Sequence, residues 1–396
     1  MKNANEKYMR MALRLAQRGL GAVEPNPMVG CVITKANQII GKGWHKRFGQ
    51  AHAEIAAMED CKNLGIAPDG ATMYVTLEPC CHHGKTGPCT DAIIQAGPAK
   101  VVVATVDPSP HAAGRGIAQL REAGIQVEVG VCETEARLLN APFMKYGATG
   151  RCWTILKWAQ SIDSRMAWAT KQGAAADSGR QWISNELSRK DVQVLRRRVG
   201  AILVGIETVL ADDPLLTPRP PRGRKPLRIV LDSYLRIPLG CRLLRTLKTS
   251  PTLVYASQVA IDKDPKKAER IRSKGAEVVG YSDQGRSNLH YLIDRLSERG
   301  ISQLLVEGGP TVLTSFLQER LVDEITVYVA PRILGAEGGV DTTSAMASLN
   351  RVAEFRHMDV ALFDTDVRFT GLSVAAFEQV LNAGKSGGVS DRGVSS

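Results

Sequence analysis

Three side chains suited to holding a metal stand far apart in the chain: His52 within His52-Ala53-Glu54, Cys80 directly after Pro79, and Cys89 nine residues further on. They can act together only if the segments carrying them are neighbouring elements of one folded core. One imidazole and two thiolates suit tetrahedral zinc with a fourth position left open, the arrangement of a catalytic rather than a structural site. Glu54 as a fourth ligand would close that site. Its better use is to shuttle a proton from an activated water to a leaving amine, which is deaminase chemistry. A structural zinc site uses the same residue types but has no need of Glu54. Cys81, His82 and His83 adjoin Cys80 and compete with it as ligands on residue type alone. Three of the eight cysteines, Cys80, Cys81 and Cys89, crowd into one loop, which points to metal rather than disulfides. Cys31, Cys61, Cys132, Cys152 and Cys241 show no paired spacing and read as ordinary thiols.

Around this constellation helix and strand patterns alternate. Met9, Ala12, Leu13 and Ala16 recur at helical spacing between Tyr8 and Leu20, and Gly19 and Gly21 close the pattern. Apolar runs at Met28 to Thr34 and near Ile39 precede a helix from about His52 to Leu64. Strands follow at Thr72 to Leu77, Lys100 to Val106 and Ile125 to Gly130, with helices at Thr90 to Ala96, Arg115 to Ala123 and about Glu133 to Lys145. His52 and Glu54 open one helix and Cys89 precedes another, so helix N-termini favour the thiolate. The segment reads as a three-layer α/β/α domain over residues 1–147.

A second α/β series begins at Trp153. Its strands are expected at Trp153, Ala201 to Ile206, Leu227 to Asp232, Thr252 to Ala256, Glu277 to Tyr281, Gln303 to Glu307 and Ile325 to Ala330. Its helices are expected at Glu186 to Arg198, Pro265 to Ser273, Leu289 to Arg299 and Thr311 to Glu319. It spans residues 148–380, and the Gly/Ser-rich residues 381–396 read as a disordered tail. At roughly 100 to 200 residues per domain, 396 residues suit two or three domains. A composition of 44% hydrophobic and 23% charged residues excludes collagen-like, disordered and membrane classes, and no run approaches the 18 or so apolar residues of a spanning helix. The first residues mix charges into a helical pattern unlike a signal peptide, so a cytoplasmic location is expected. The formal charge of +11 implies an acidic partner, either nucleic acid or phosphorylated small molecules. Much of the excess lies between Arg180 and Ser250, where 15 basic residues face 6 acids.

The chemistry-bearing stretches of the second half are separate. They are Lys157-Trp-Ala159-Gln-Ser161-Ile-Asp163, Gly179-Arg180-Gln181-Trp182, Gly205-Ile-Glu-Thr208 through Asp212-Asp213-Pro214 to Arg219, and Val306-Glu307-Gly308-Gly309-Pro310-Thr311. None contains the G-x-G-x-x-G of a Rossmann dinucleotide site. The last reads as a strand passing through two glycines into a helix, whose free N–H groups and dipole suit a phosphate.

The residues His52, Glu54, Pro79, Cys80 and Cys89 resemble the zinc-dependent cytidine deaminase superfamily, whose signature is H-x-E followed by P-C-x-x-C. Eight residues separate the cysteines here. That longer loop, Glu78 to Cys89, is similar to the riboflavin-pathway pyrimidine deaminases, as are Pro25-Asn26-Pro27-Met28-Val29-Gly30 and Gly41-Lys-Gly43-Trp-His45. The resemblance implies His52, Cys80 and Cys89 as zinc ligands, Glu54 as the catalytic residue, and Asn26 and His45 against the pyrimidine or its ribose phosphate. Lys85 and Thr86 are further candidates for phosphate or ring contacts.

The second half resembles the riboflavin-specific reductases, relatives of dihydrofolate reductase that use NADPH. By that resemblance Ala159, Trp182, Thr208, Asp212, Ser233 and the turn Gly309, Pro310, Thr311, Val312, Leu313, Thr314 and Ser315 contact the cofactor. Arg180, Arg196, Leu216, Arg219 and Glu307 contact the phosphorylated substrate, and Lys157 and Asp212 are candidates to assist transfer. Ser164 stands where that family usually has glycine. The resemblance as a whole is to the bifunctional deaminase–reductase family of bacterial riboflavin biosynthesis, with phosphorylated pyrimidine substrates, no nucleic acid or membrane partner, and a homo-oligomer expected. Two rivals stand beside it: a tRNA adenosine deaminase, suggested by zinc and basic charge, and a deaminase carrying a degenerate second module.

Overall fold

The computed structural model describes residues 2–81, 87–110, 112–168, 182–220, 224–282, 288–335, 338–342, 346–350 and 352–384. The chain divides into two compact units, Met1–Thr149 together with Glu378–Ser396, and Gly150–Phe377.

In the first unit the elements run α1 (Lys2–Ala16), β1 (Gly30–Lys35), β2 (Gln38–Trp44), α2 (Ala53–Asn63), β3 (Thr72–Val75), α3 (Cys89–Ala96), β4 (Lys100–Val103), α4 (Arg115–Glu122), β5 (Gln126–Val129), α5 (Glu133–Leu139) and α6 (Ala141–Thr149). The sheet order is β2-β1-β3-β4-β5, antiparallel at β2-β1-β3 and parallel from β3 to β5. Successive side chains of a strand point to opposite faces, and here both faces are covered. Cys31, Ile33, Met73, Val75, Val101 and Val103 pack with Ala53, Ala57, Ile93 and Leu120 of the helices on one side. Val32, Tyr74 and Val102 pack with Met9, Ala12, Leu13 and Ala136 on the other. That alternation makes the three layers.

The seat of α2 on β2 is made by missing side chains. A Cβ on Gly43 would lie 2.3 Å from the Ala53 carbonyl oxygen and 2.4 Å from the Ala57 nitrogen, and one on Gly41 would lie 2.5 Å from the Ala57 oxygen. Strand and helix therefore meet backbone to backbone, which fixes the start of α2.

The helix expected over Glu133 to Lys145 is two helices. Asn140 breaks it, because its side chain accepts from the Met28 N–H at 2.8 Å and donates to the Met28 carbonyl at 2.9 Å. The amide satisfies a distant loop instead of sitting out on a continuous helix.

The second unit contains β6 (Trp153–Ser161), β7 (Arg165–Trp168), α7 (Glu186–Arg198), β8 (Ala201–Gly205), α8 (Ile206–Asp212), β9 (Leu227–Leu231), α9 (Arg242–Arg245), β10 (Thr252–Ser257), α10 (Gln258–Lys263), α11 (Pro265–Ser273), β11 (Glu277–Tyr281), α12 (Leu289–Glu298), β12 (Gln303–Val306), α13 (Pro310–Gln318), β13 (Glu324–Ala330), β14 (Gly338–Asp341), β15 (Phe355–Phe363) and β16 (Asp366–Ser373). Its main sheet has the order β11-β10-β9-β8-β12-β6-β13-β16-β15. The first seven strands are parallel, and β16 and β15 add an antiparallel edge. Leu156, Leu203, Ile229, Leu304 and Val327 of the strands pack with Leu292, Leu296, Leu313 and Phe316 of α12 and α13 in one core.

The last described element is α14 (Val374–Asn382), which runs past residue 381, where the tail was expected to begin. Leu381 and Asn382 continue the helix, and the Arg137 guanidinium donates to the carbonyls of Val380 and Ala383. Residues 385–396 lie outside the described residues.

Candidate active sites

The first site is assembled at the starts of two helices. His52 is the N-cap of α2, with φ −71° and ψ 166°, and Cys89 is the first residue of α3, whose N-cap is Pro88. Cys80 follows the end of β3. One ligand atom from each of His52, Cys80 and Cys89 lies within 4.8 Å of the others. His52 Nδ1 is 3.2 Å from Cys89 Sγ and 3.5 Å from Cys80 Sγ. Zinc bonds of about 2.3 Å to sulfur and about 2.0 to 2.1 Å to nitrogen give tetrahedral N···S edges of about 3.6 Å. The residues present therefore fit a zinc ion with one corner free. Cys81, the described competitor, is not in the cluster; His82 and His83 lie outside the described residues.

A hydrogen bond from Cys89, opposed by burial and helped by His52, pulls Cys80 down to about 4, and the same bond together with burial pushes Cys89 up. The Cys89 N–H also points at Cys80 Sγ, 3.4 Å away, so the start of α3 stabilises the thiolate.

Glu54 sits in the first turn of α2 and is buried, and burial pushes its carboxyl up to about 7. A divalent cation beside it acts in the opposite direction. His45 is buried with its ring edge-on to His52, centroids 5.4 Å apart. Its Nδ1 lies 3.1 Å from the Ala51 carbonyl, which can only accept. Nδ1 therefore carries the proton and Nε2 is the acceptor, 3.4 Å from Asn26 Nδ2. The fold thus gathers His52, Glu54, Cys80, Cys89, Asn26 and His45 in one place. Lys85 and Thr86 lie outside the described residues.

The second candidate site is at the C-terminal ends of the central parallel strands. β9, β8, β12 and β6 are adjacent and parallel, so their C-terminal ends share one side. In open α/β sheets ligands bind in the crevice outside those ends. Ala159 lies towards the end of β6, Thr208 and Asp212 follow β8, Ser233 follows β9, and Glu307 to Pro310 follow β12. Gly309 caps α13, and a Cβ there would meet nothing within 4 Å. The space beside Gly309 is therefore free of other described atoms, while the Val312 and Leu313 N–H groups each donate to its carbonyl at 3.1 Å. The Ser233 hydroxyl accepts from Tyr281 at 2.8 Å, and its carbonyl from the Ser257 hydroxyl at 2.7 Å.

Deeper in the same unit Arg196 binds Glu307 with both arms, Nε to Oε1 at 2.6 Å and Nη2 to Oε2 at 2.9 Å. Burial pushes the Glu307 carboxyl up, but the Arg196 charge, its hydrogen bonds and Lys157 outweigh that and hold it below the ordinary range. Burial lowers Lys157. The Lys157 ammonium stands 5.8 Å from the Tyr328 ring centre, and Tyr328 donates to Asp191 at 2.6 Å, where Arg368 also donates.

Comparison with known proteins gives the same division. Residues 2–105 match the cytidine and deoxycytidylate deaminase zinc-binding region, and residues 152–369 match the RibD C-terminal domain. The riboflavin biosynthesis protein RibD of Aquifex aeolicus (strain VF5) is 44% identical over 339 residues, covering 85% of this chain and 89% of its own. That of Escherichia coli (strain K12) is 39% identical over 377 residues, covering 92% and 98%. The chain belongs to the RibD family. Among solved structures, Acinetobacter baumannii RibD (form 1) aligns with a TM-score of 0.76 at 35% identity, covering 94% of this chain and 99% of that one. A diaminohydroxyphosphoribosylaminopyrimidine deaminase/5-amino-6-(5-phosphoribosylamino)uracil reductase from Thermotoga maritima aligns with a TM-score of 0.75 at 34% identity, again covering 94% and 99%.

The RibD assignment makes the chain a bifunctional deaminase and reductase of riboflavin biosynthesis, with a cytidine-deaminase-like first domain and a RibD reductase second one. It disfavours the tRNA deaminase reading, which has no use for the second domain. The other residues expected at the reductase site differ in their exposure. Leu216 is 2% exposed and Leu313 is 0% exposed, so both side chains are buried. Thr314 is buried too. The reason is period: in a helix starting at Pro310, one face turns to the sheet, and Leu313 and Thr314 are on it. Trp182 is exposed under the Arg189 guanidinium, Arg219 is exposed with its N–H on Gln193, and Arg180 lies outside the described residues. Ser164 has φ +62°, a left-handed conformation that glycine adopts without penalty and that costs serine about 1 kcal/mol. In this turn the Thr342 N–H donates to the Ser164 carbonyl at 3.0 Å.

Proposed function

We propose that the first unit hydrolytically deaminates 2,5-diamino-6-ribosylamino-4(3H)-pyrimidinone 5′-phosphate with one zinc per chain. The second unit then reduces the ribosyl side chain with NADPH, giving 5-amino-6-ribitylamino-uracil 5′-phosphate. The observation that carries the reading is the convergence of His52, Cys80 and Cys89 within 4.8 Å beside a buried carboxylate. Zinc bound there supplies the polarisation that makes water a nucleophile at neutral pH. Glu54 takes the proton from the water and returns it to the departing amine, so ammonia leaves neutral. Neutral His45 and Asn26 orient the ring by hydrogen bonding.

In the second unit the open start of α13 and the strand ends around Ala159, Thr208, Asp212 and Ser233 receive the dinucleotide, and NADPH supplies the hydride. Lys157, whose ammonium burial makes more acidic, is the candidate to deliver a proton. The basic surplus between Arg180 and Ser250 serves two phosphorylated ligands. The deciding assay supplies the deaminase substrate with and without NADPH and follows products by mass. Without NADPH the expected product has exchanged an amino group for oxygen; with it, two hydrogens are added as NADPH absorbance falls. Ammonia released from tRNA but not from the free nucleotide, or no NADPH oxidation, would refute the reading.

Two further features belong to this proposal. All eight cysteines are free, which suits a reducing cytoplasm, and among the described residues no helix is long and apolar enough to cross a membrane. β15 is the outermost strand of its sheet and exposes Met358, Val360 and Leu362, the last at 75%. Such an edge favours pairing with a second copy. Light scattering is expected to give a homo-oligomer that Leu362→Lys weakens; a monomeric native chain would refute it.

A further inference from the structure

We infer that Glu78 is a positioning residue for the metal centre, holding the Cys80 ligand in place by tying the end of its segment to the start of α4. This rests on the zinc reading above. Glu78 is buried, at 6% exposure, two residues before Cys80. Its carboxylate is met by four backbone N–H groups. Oε1 accepts from Gly116 at 2.9 Å and Ile117 at 3.2 Å, and Oε2 accepts from Gly114 at 3.0 Å and Asp107 at 3.1 Å. Bonds from N–H groups to a carboxylate are charge-assisted, and this set ties Glu78 to the first turn of α4 and to the loop after β4. No cation is required to neutralise it.

The same helix reaches the ligands from a second direction. Gly116 has no side chain where a Cβ would lie 2.1 Å from the Pro79 carbonyl oxygen, so α4 presses directly on the residue between Glu78 and Cys80. Gln119 of α4 accepts from the Thr90 hydroxyl at 2.8 Å, and the Thr90 N–H donates to the Cys80 carbonyl at 3.2 Å. α4 is thereby the common support of both cysteine-bearing segments, and Glu78 is its link to the first. A ligand sulfur displaced by a fraction of an ångström no longer completes the tetrahedron. Groups of this kind outside the ligand set typically carry 10- to 100-fold in metal affinity.

Glu78→Gln tests this on the whole protein. The amide keeps the shape but replaces one carboxylate oxygen by an NH2 that faces N–H donors, so two of the four bonds are lost. Zinc affinity, measured by competition with a chelator, is expected to fall about 10- to 100-fold. In the cobalt-substituted protein the thiolate-to-metal absorption bands are expected to shift. A residue that merely stabilises the fold would lower the melting temperature and leave both readouts alone. Unchanged affinity and an unchanged cobalt spectrum therefore overturn the inference, whatever happens to melting. If Glu78→Gln does not fold, Glu78→Asp, with the charge kept and the reach shortened, is read in the same way. A native chain that takes up neither zinc nor cobalt would instead defeat the zinc reading, and this inference with it.

Discussion

Replacing Glu54 by alanine is expected to slow deamination about 10²- to 10⁴-fold while zinc stays bound and NADPH oxidation on the deaminated substrate continues. The size follows from losing the carboxylate proposed to move a proton between water and the leaving amine. Retention of zinc follows from the ligand set, since His52, Cys80 and Cys89 meet without Glu54. Glu54→Gln separates charge from volume: it fills the buried space, cannot take a proton, and should be nearly as slow as the alanine variant. Metal analysis alongside turnover settles the role. Loss of zinc in either variant would make Glu54 a ligand or a support rather than a proton carrier.

Arg196→Ala is the counterpart in the other half, expected to destabilise the second unit by about 3–5 kcal/mol and to abolish reduction while deamination persists. The Arg196 and Glu307 side chains are only 12% and 10% exposed, so removing the guanidinium strands a carboxylate away from water. In the native chain Glu307 lies below its ordinary value, so the pair's contribution is present at neutral pH and is lost as pH falls through the folded-state value. In the variant, with the Arg196 charge gone, burial is expected to raise the carboxyl above its ordinary value. A raised group contributes stability on the acid side, so acidification should narrow the gap between variant and native protein. Melting curves across pH test this, and a gap that widens in acid would contradict the assignment.

Much of this was legible in the sequence because it is local. Cys31-Val32-Ile33 and Val101-Val102-Val103 show unbroken apolar runs, the mark of strands covered on both faces, and the structure sends their side chains to two different cores. His52, Cys80 and Cys89 were readable because metal chemistry restricts residue type so tightly. What escaped depends on partners far along the chain. Glu78 looks like an ordinary acid before Pro79, and its four donors come 29 to 39 positions later. Its one local signal is a carboxylate at the end of an apolar strand, where burial demands partners. The edge pair β15 and β16 carries Arg356, His357, Asp359 and Arg368 among its apolar residues, so no clean alternation marks it. Leu216 and Leu313, expected at the ligands from the resemblance, are both buried, and Leu313 packs in the core of the second unit.

The bare contact between β2 and α2 has a consequence for how this enzyme tolerates change. A ligand lost by mutation announces itself in the chemistry; a methyl group gained at Gly41 or Gly43 adds nothing reactive, yet it drives the main chain of α2 away from the sheet that locates His52 and Glu54. The genetic target of the deaminase is therefore larger than its list of reacting atoms. It includes places where the protein depends on empty volume, and the mutational load on this catalyst falls as heavily on what must be absent as on what must be present.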